Sequence, residues 1–511
     1  MDVLYSLIGV ERLGLLAQDE IFTNTLNFDF TDNYSINEAM LNRFCNSILP
    51  QIQYHVKCLV LETTTMDRIL RAGVYSNLTQ LKIFNYDASI FSHCCTDELL
   101  FRCNFKKQIT DLTIRNDYNG RERIIDQSTN VFIKLVDFFE NLKYLSYTES
   151  FVAKNSVLSF IDLPSTTFVS SNLIKLCITV NNFGDCLCLL DGRLNQLSTF
   201  IVIIVNVKDN SLMEFNTSDL PNLKCFSLTY EPLTNAYDNQ IVPLLHRMRN
   251  LQDLTLYIRI DERNRLVDGI QLENDILIHL SKLQTFVFYI CTFTSANHPV
   301  TPLSNNDIQR TFSNVKFGQI GCSMNYINES DIIYHVFSLP YIFKCIGFIG
   351  NSFTNTIFKN VRVLCIKDGI PFEHEFFVRL VRCFPLLESL IIVNFKAQST
   401  DPAKSEHDNT NGSFEVVQYL HLTSVDFVQA HIDYVEQMLN ESKTRLPRLT
   451  ELMIGYDQLK TVTNNFTRDA TRHNCINVEE LKFCNLRNHG DDHSIEAQSK
   501  DFHVYFPSLK L

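Results

Sequence analysis

Leu223-Lys224-Cys225-Phe226-Ser227-Leu228 is followed 28 residues later by Leu251-Gln252-Asp253-Leu254-Thr255-Leu256, the same spacing of apolar residues, apolar-x-x-apolar-x-apolar. The pattern recurs outward in both directions. Upstream it reads Val56…Leu59…Leu61, Leu78…Leu81…Ile83, Ile109…Leu112…Ile114, Leu173…Leu176…Ile178 and Leu197…Phe200…Val202. Downstream it reads Leu283…Phe286…Phe288, Val361…Leu364…Ile366, Leu387…Leu390…Ile392, Val417…Leu420…Leu422, Leu449…Leu452…Ile454 and Val478…Leu481…Phe483. Leu142…Leu145 is a degraded copy that ends on Ser146-Tyr147. Copies starting at 173, 197, 223, 251 and 283 are 24, 26, 28 and 32 residues apart. This is the period, or slightly more, of a leucine-rich repeat.

The alternation in the last three positions makes a short strand with one face buried. Between strands the spacing turns helical: Val131, Leu135, Phe138 and Phe139; Ile241, Leu244, Leu245 and Met248; Phe377, Leu380, Val381 and Phe384. A strand–turn–helix unit cannot bury both faces alone, so neighbours must stack. The expectation is an α/β leucine-rich-repeat horseshoe, a solenoid with a parallel inner sheet, outer helices and a short helical N-terminal segment. The array is expected over 56–511. Between 289 and 360 it becomes irregular, with either two divergent repeats at Val315-Lys316-Phe317 and Ile342…Cys345 or an insertion. Asparagine or cysteine after each strand, common in such repeats, is not uniform here. A final copy, Phe506-Pro507-Ser508-Leu509-Lys510-Leu511, ends the chain inside a strand, which implies that a polar terminal cap is missing.

With 45 basic against 57 acidic residues, a net charge of −12 and 45 % apolar residues, the 511-residue chain reads as folded and acidic. Without a Lys/Arg block, nucleic acid is not expected as a partner. No apolar run approaches the roughly 18 residues of a membrane helix, so no membrane partner is expected either. Met1–Glu20 lacks the basic start of a signal peptide. The 16 cysteines are scattered and several lie inside apolar runs, as Cys177 and Cys365 do, which fits a reducing compartment, the cytoplasm or nucleus.

Residues 29–55 are expected to form a helical linker or cap. Ile36–Gln53 places Met40, Phe44, Ile48 and Leu49 at helical spacing, and Pro50 is expected to end the run. Ahead of it, Asp2-Val3-Leu4-Tyr5-Ser6-Leu7, Gly9-Val10-Glu11-Arg12-Leu13 and Asp19-Glu20-Ile21-Phe22 resemble the second half of an F-box, over residues 1–28. An F-box followed by leucine-rich repeats is similar to the substrate receptors of Skp–cullin–F-box ubiquitin ligases. The resemblance implies a non-catalytic protein-recognition module, a Skp-type adaptor and a cullin as partners, and Val3, Leu4, Tyr5, Leu7 and Ile8 as adaptor contacts. The family's opening Leu-Pro, acidic residue and Ile-Phe and Tyr-Leu helix have no counterpart ahead of Met1. That reads as a truncated F-box or as a repeat protein that has lost its ligase connection. The alternative is therefore a leucine-rich-repeat interaction scaffold with no ubiquitin-ligase role.

No phosphate loop, dinucleotide-binding fingerprint, nucleophile elbow or zinc-protease pair is present. His374-Glu375 lacks a second metal histidine. His93-Cys94-Cys95 with Cys103, Cys186-x-Cys188, and His489-Gly490-Asp491-Asp492-His493 near Cys484 lack paired ligand spacing. No catalytic residue, metal or cofactor is expected. An enzyme of unrecognised type is a third reading. A protein substrate is instead expected on the concave face, where the residues between the repeat leucines project. These are Tyr144, Asp253, Thr255, Tyr257, Thr285, Tyr289, Tyr419, His421 and Glu451, a set rich in the amphipathic aromatics that dominate interfaces. Two polar segments, 396–413 and 292–307, are expected to be loops.

Overall fold

The computed structural model describes residues 23–28, 38–85, 103–116, 125–149, 157–207, 218–261, 263, 265–295, 303–328, 331–353, 355–399, 415–483 and 500–509. It is a mixed α/β protein with a large, mostly parallel sheet. Twelve strands form one sheet in the order β1 to β10, then β12 and β11. A second sheet of six runs β13-β14-β15-β17-β19-β20. The chain divides into two compact units, residues 1–258 with 274–286, and residues 259–273 with 287–511.

In the first unit, β1 (Thr25–Asn27), β2 (Cys58–Glu62), β3 (Gln80–Phe84), β4 (Asp111–Asn116), β5 (Tyr144–Glu149), β6 (Lys175–Val180), β7 (Thr199–Ile204) and β8 (Cys225–Thr234) pair in parallel in chain order. The repeat residues set the register: Leu59, Leu81, Leu112, Leu145, Leu176, Phe200 and Phe226 are successive partners across the sheet, and all are buried. The degraded copy belongs with the rest, since Tyr147 is buried where other copies bury an aliphatic.

Two hydrogen-bond ladders make the repeat physical. The carbonyl just ahead of each strand accepts two backbone N–H groups of the next copy. Lys57 O takes Thr79 and Gln80, Thr79 O takes Thr110 and Asp111, and so on through Gln252 O with Gln284 and Thr285. A side-chain ladder runs beside it. Asn77, Asn141, Asn172, Asn222 and Asn250, each just before the first apolar residue of a copy, donate Nδ2 to a carbonyl of the preceding unit at 2.6–2.8 Å. The turn asparagine sought after the strand thus stands before it, where it ties adjacent copies together. Asn222→Ala removes one such bond at an exposed site and is expected to lower stability by about 0.5–1.5 kcal/mol, read from the urea midpoint. A loss of 3 kcal/mol or more would mean that Asn222 does more than join two turns.

The helical stretches cover the other side of the strands. Ile125–Phe138 buries Val131, Leu135 and, just beyond it, Phe139, while Tyr237–Ile241 and Val242–His246 bury Ile241, Leu244, Leu245 and, just beyond, Met248. Near the start of the unit, Glu38–Arg43 runs through a wider turn at Phe44–Ile48 into Leu49–Ile52. Pro50 does not end the helix as expected. It occupies the first turn of the last segment, where a missing N–H costs nothing.

Asp185 is a polar clamp in this unit. From the first turn of helix Phe183–Leu189 its buried carboxylate caps Asn182 and accepts from Ser159 Oγ and the backbone N–H of Phe160 and Ile161. Burial pushes its pKa up in spite of these donors.

In the second unit, β13 (Cys345–Ile349), β14 (Val363–Lys367), β15 (Ser389–Asn394), β17 (Ser424–Ala430), β19 (Glu451–Ile454) and β20 (Glu480–Phe483) pair in parallel. The carbonyl ladder runs here too, from Lys344 O through Arg362, Glu388, Thr423 and Thr450. In the 289–360 region one of the two suggested divergent repeats is on the ladder and the other is not. Val315–Phe317 is a 3-10 turn, and β11 (Gln319–Tyr326) with β12 (Asp331–Leu339) forms an antiparallel hairpin. Ile342…Cys345 leads into a strand on the ladder, at β13. The other antiparallel partner of β12 is β10 (Thr285–Ser295), so Thr292 to Ser295, expected as loop, are strand. Ser304 caps helix Asn305–Arg310. Of the two polar segments, 296–302 and 400–413 lie outside the described residues.

One copy is displaced from its expected place. β16 (Val417–Gln418) pairs with β18 (Thr444–Arg445) in a separate two-stranded sheet. The strand that joins β15 is β17, carried by Leu422…Val425…Phe427, all buried, whereas Leu420 is 57 % exposed. The last expected copy is not a strand over the described residues: Lys500–Tyr505 is helical, Pro507-Ser508 lie in a turn, and residues 510–511 lie outside the described residues.

Candidate functional site on the inner sheet face

Side chains at alternate strand positions point away from the buried leucines and form rows across the sheet. In the first unit one row reads Cys58, Gln80, Asp111, Tyr144, Lys175, Thr199 and Cys225 in direct register. Gln80, Tyr144 and Lys175 are exposed, Tyr144 at 42 %, and so are Asp253 at the start of β9 (Asp253–Ile260) and Thr285 at the start of β10. Of the expected residues, Tyr144, Asp253 and Thr285 are therefore exposed, while Thr255 is half-buried and Tyr257 is buried. Cys177, placed by the sequence inside an apolar run, is not in the core. Cys177 and Cys225 sit half-buried on the inner rows, where burial pushes their thiols up, with Lys175 pulling both down and Asp253 raising Cys225. Cysteines described in the structure carry free thiols.

The second unit concentrates polar groups around one aromatic ring. Tyr289 is fully buried, so it offers no surface of its own. Its hydroxyl lies 3.1 Å from Nδ1 of His335, and His335 Nε2 lies 3.2 Å from the carbonyl of Phe348. A carbonyl only accepts, so Nε2 carries the proton and Nδ1 accepts from the Tyr289 hydroxyl. Phe348 stands at φ +60° in a bulge where the β13–β14 register shifts between Ile346 and Ile349. A bulky residue in that region is strained and persists only when its surroundings hold it. Here the hydrogen bond from His335 supplies part of that hold. The bulge turns the Phe348 ring edge-on to Phe293, under the Arg259 guanidinium at 4.4 Å and near the Lys367 ammonium at 5.5 Å. Burial pushes the thiols of Cys291 and Cys365 beside it up to about 12 and about 11. Sequence spacing gave no sign of this group, because Tyr289 and His335 meet only through the antiparallel pairing of β10 with β12.

His335 makes the unit sensitive to acid. Burial, aided by the Arg259 charge, lowers its pKa to about 4 from an ordinary 6.5. The unfolded chain therefore takes up a proton below about pH 6.5 that the folded chain refuses until about pH 4. The stabilising contribution is complete above pH 6.5 and is lost as pH falls towards 4, by about 3 kcal/mol in all. The buried carboxyls of Asp185 and Asp368, pushed up in pKa, work in the opposite direction. Subtracting the profile of His335→Gln isolates the histidine: between pH 7 and 4.5 the native chain is expected to lose more stability than the variant. Parallel profiles would contradict a neutral, buried His335.

Other expected positions fall elsewhere. Tyr419 and His421 are not on an inner strand, because the copy that carried them is displaced. Tyr419 is buried with no partner for its hydroxyl and His421 is half-buried outside β16 and β17. Glu451 holds its place on β19, half-buried. Val3, Leu4, Tyr5, Leu7 and Ile8 lie outside the described residues, as do His93-Cys94-Cys95 and His489–His493. His374 is taken up by the Glu415 carbonyl and the Gln437 amide. Among the described residues no group of three or more His, Cys, Asp or Glu is placed to hold a metal ion, and no helix is long and apolar enough to cross a membrane. A cleft of about 690 Å³ beside helix His374–Cys383 is lined by Asn351, Phe376, Arg379 and Arg382. Its cations are already engaged, Arg379 with the Asn351 carbonyl and the Phe353 ring, Arg382 with both oxygens of Glu415. No protein-family model matches the chain, and no curated protein is significantly similar to it.

Proposed function

We propose that the chain is a leucine-rich-repeat horseshoe that recognises a protein on its concave inner sheet face and performs no catalysis of its own. The observation that carries this reading is the doubled ladder of carbonyls and asparagines, which repeats one strand geometry and so lines up rows of non-core side chains at strand spacing. A rigid row with exposed Gln80, Tyr144 and Lys175 suits recognition, since affinity gained by ordered side chains is not spent on ordering them. The buried titratable groups, Asp185, Asp368 and His335, are bound to backbone groups that fix turns, which supports a structural role for them over a chemical one.

The resemblance of residues 1–28 to an F-box extends the proposal. The protein would present its bound substrate to a Skp–cullin ubiquitin ligase in the cytoplasm or nucleus, with Val3, Leu4, Tyr5, Leu7 and Ile8 against a Skp-type adaptor. Co-elution of the full chain with such an adaptor at micromolar concentration on a sizing column tests this part. A stable complex, lost on Leu4→Asp with Leu7→Asp, is the expected result. A folded, monodisperse chain that elutes apart from the adaptor would leave an interaction scaffold with no ligase role.

A further inference from the structure

We infer that a strip of lysines along the inner face of the first unit, at the N-terminal ends of β2 to β8, docks an acidic extended segment of the partner protein. The inference rests on the recognition reading above and names the partner's chemistry. The chain carries a net charge of −12. Yet the residue ahead of each of these strands, with the first and third residues within it, supplies Lys57, Lys82, Lys143, Lys175 and Lys224 against one carboxylate, Asp111. The strip therefore has the opposite sign to the chain as a whole, and a local field of that sign selects an anionic partner. Asp253, at the start of β9, ends it.

Lys143, Lys175 and Lys224 are exposed and Lys82 is half-buried, and none of the four makes an ion pair among the described residues. Lys175 is in direct register with the exposed Tyr144, which adds an amphipathic ring to the charged surface. The carbonyls of Lys143 and Lys224 are rungs of the backbone ladder, so the fold itself fixes their spacing. They stand three strand steps apart, about 14 Å at ~4.8 Å a step. An extended peptide rises about 3.3 Å per residue and turns alternate side chains to one face, so carboxylates at positions i and i+4, about 13 Å apart, match Lys143 and Lys224. Lys175 lies between them for the carboxylate at i+2. Single-stranded nucleic acid is the less suited polyanion, because it needs aromatic platforms for successive bases and Tyr144 is the one aromatic at these positions. Each exposed ion pair is weak, so the strip works through their number and through faster encounter, both of which salt suppresses.

The test is fluorescence anisotropy with the full chain and three labelled probes: a decapeptide of alternating glutamate and serine, its glutamine counterpart, and an oligouridylate of the same length. The expected result is binding of the glutamate peptide, weakened by raising salt from about 50 to about 200 mM, and no binding of the glutamine peptide. Lys175→Gln and Lys224→Gln should each weaken it about two- to fivefold, and together about tenfold, with the circular dichroism spectrum unchanged. Lys134→Gln, an exposed cation on the helix behind the sheet, should leave it unchanged. Absence of glutamate-peptide binding, equal binding of the two peptides, equal weakening by Lys134→Gln, or binding of the oligouridylate alone overturns the inference. Crosslinking from position 144 to a protein in cells is read separately. A chain that forms such an adduct but binds no acidic peptide loses the acidic partner and keeps the recognition role.

Discussion

Asp185→Ala is expected to destabilise the first unit by about 3–5 kcal/mol, among the largest effects of any polar substitution in the chain. The carboxylate is buried and serves four donors: Ser159 Oγ and the backbone N–H of Phe160, Ile161 and Asn182. Alanine leaves the three backbone donors without an acceptor in a place water does not reach, and each such group costs about 1–3 kcal/mol. The helix Phe183–Leu189 also loses its capping box. Asp185→Asn keeps one oxygen for the Ser159–Ile161 side but turns a donor towards the Asn182 N–H, so an intermediate loss of about 2 kcal/mol is expected. Urea denaturation gives the magnitude. Hydrogen exchange gives the location, since the amides of Phe160 and Ile161 should lose protection before those of β6 and β7. A loss below 1 kcal/mol for the alanine variant would mean that the 159–161 segment is held by something other than this carboxylate.

Phe427→Ala is expected to cost about 3–5 kcal/mol, and Leu420→Ala less than about 0.5 kcal/mol. Phe427 is fully buried at the third apolar position of the copy that builds β17, whereas Leu420 stands largely in solvent. The pair is informative because both positions satisfy the repeat pattern on paper. A large loss at Leu420 with a small one at Phe427 would restore Val417…Leu420…Leu422 as the strand and bring Tyr419 and His421 back to the inner face.

That ambiguity shows what limits sequence reading here. A motif of three apolar positions marks where a strand can form but does not by itself select it, since Ile133…Val136…Phe138 satisfies it inside helix Ile125–Phe138. Between Leu387 and Leu449 two overlapping segments do, sharing Leu422. The choice falls to a long-range requirement: Glu388 O must meet two N–H groups, and Thr423 and Ser424 supply them. Sequence spacing does not carry that information. The asparagine ladder was legible, with Asn77, Asn141, Asn172, Asn222 and Asn250 all one residue ahead of a copy, but the expected place was the turn after the strand. Tyr289 was visible as an inner-strand tyrosine. Its burial was not, because the residues that cover it come from an antiparallel hairpin and a bulge whose partners lie 46 and 58 residues away.

The central claim, recognition through the inner sheet face, is tested most directly by photo-crosslinking inside cells. A photo-reactive amino acid replaces either Tyr144, exposed on the inner row of β5, or Lys134, exposed on helix Ile125–Phe138 behind the same sheet. The account requires a discrete protein adduct from position 144 and none from position 134. Adducts from position 134 alone, or equally from both, would place the binding surface on the helices and contradict it.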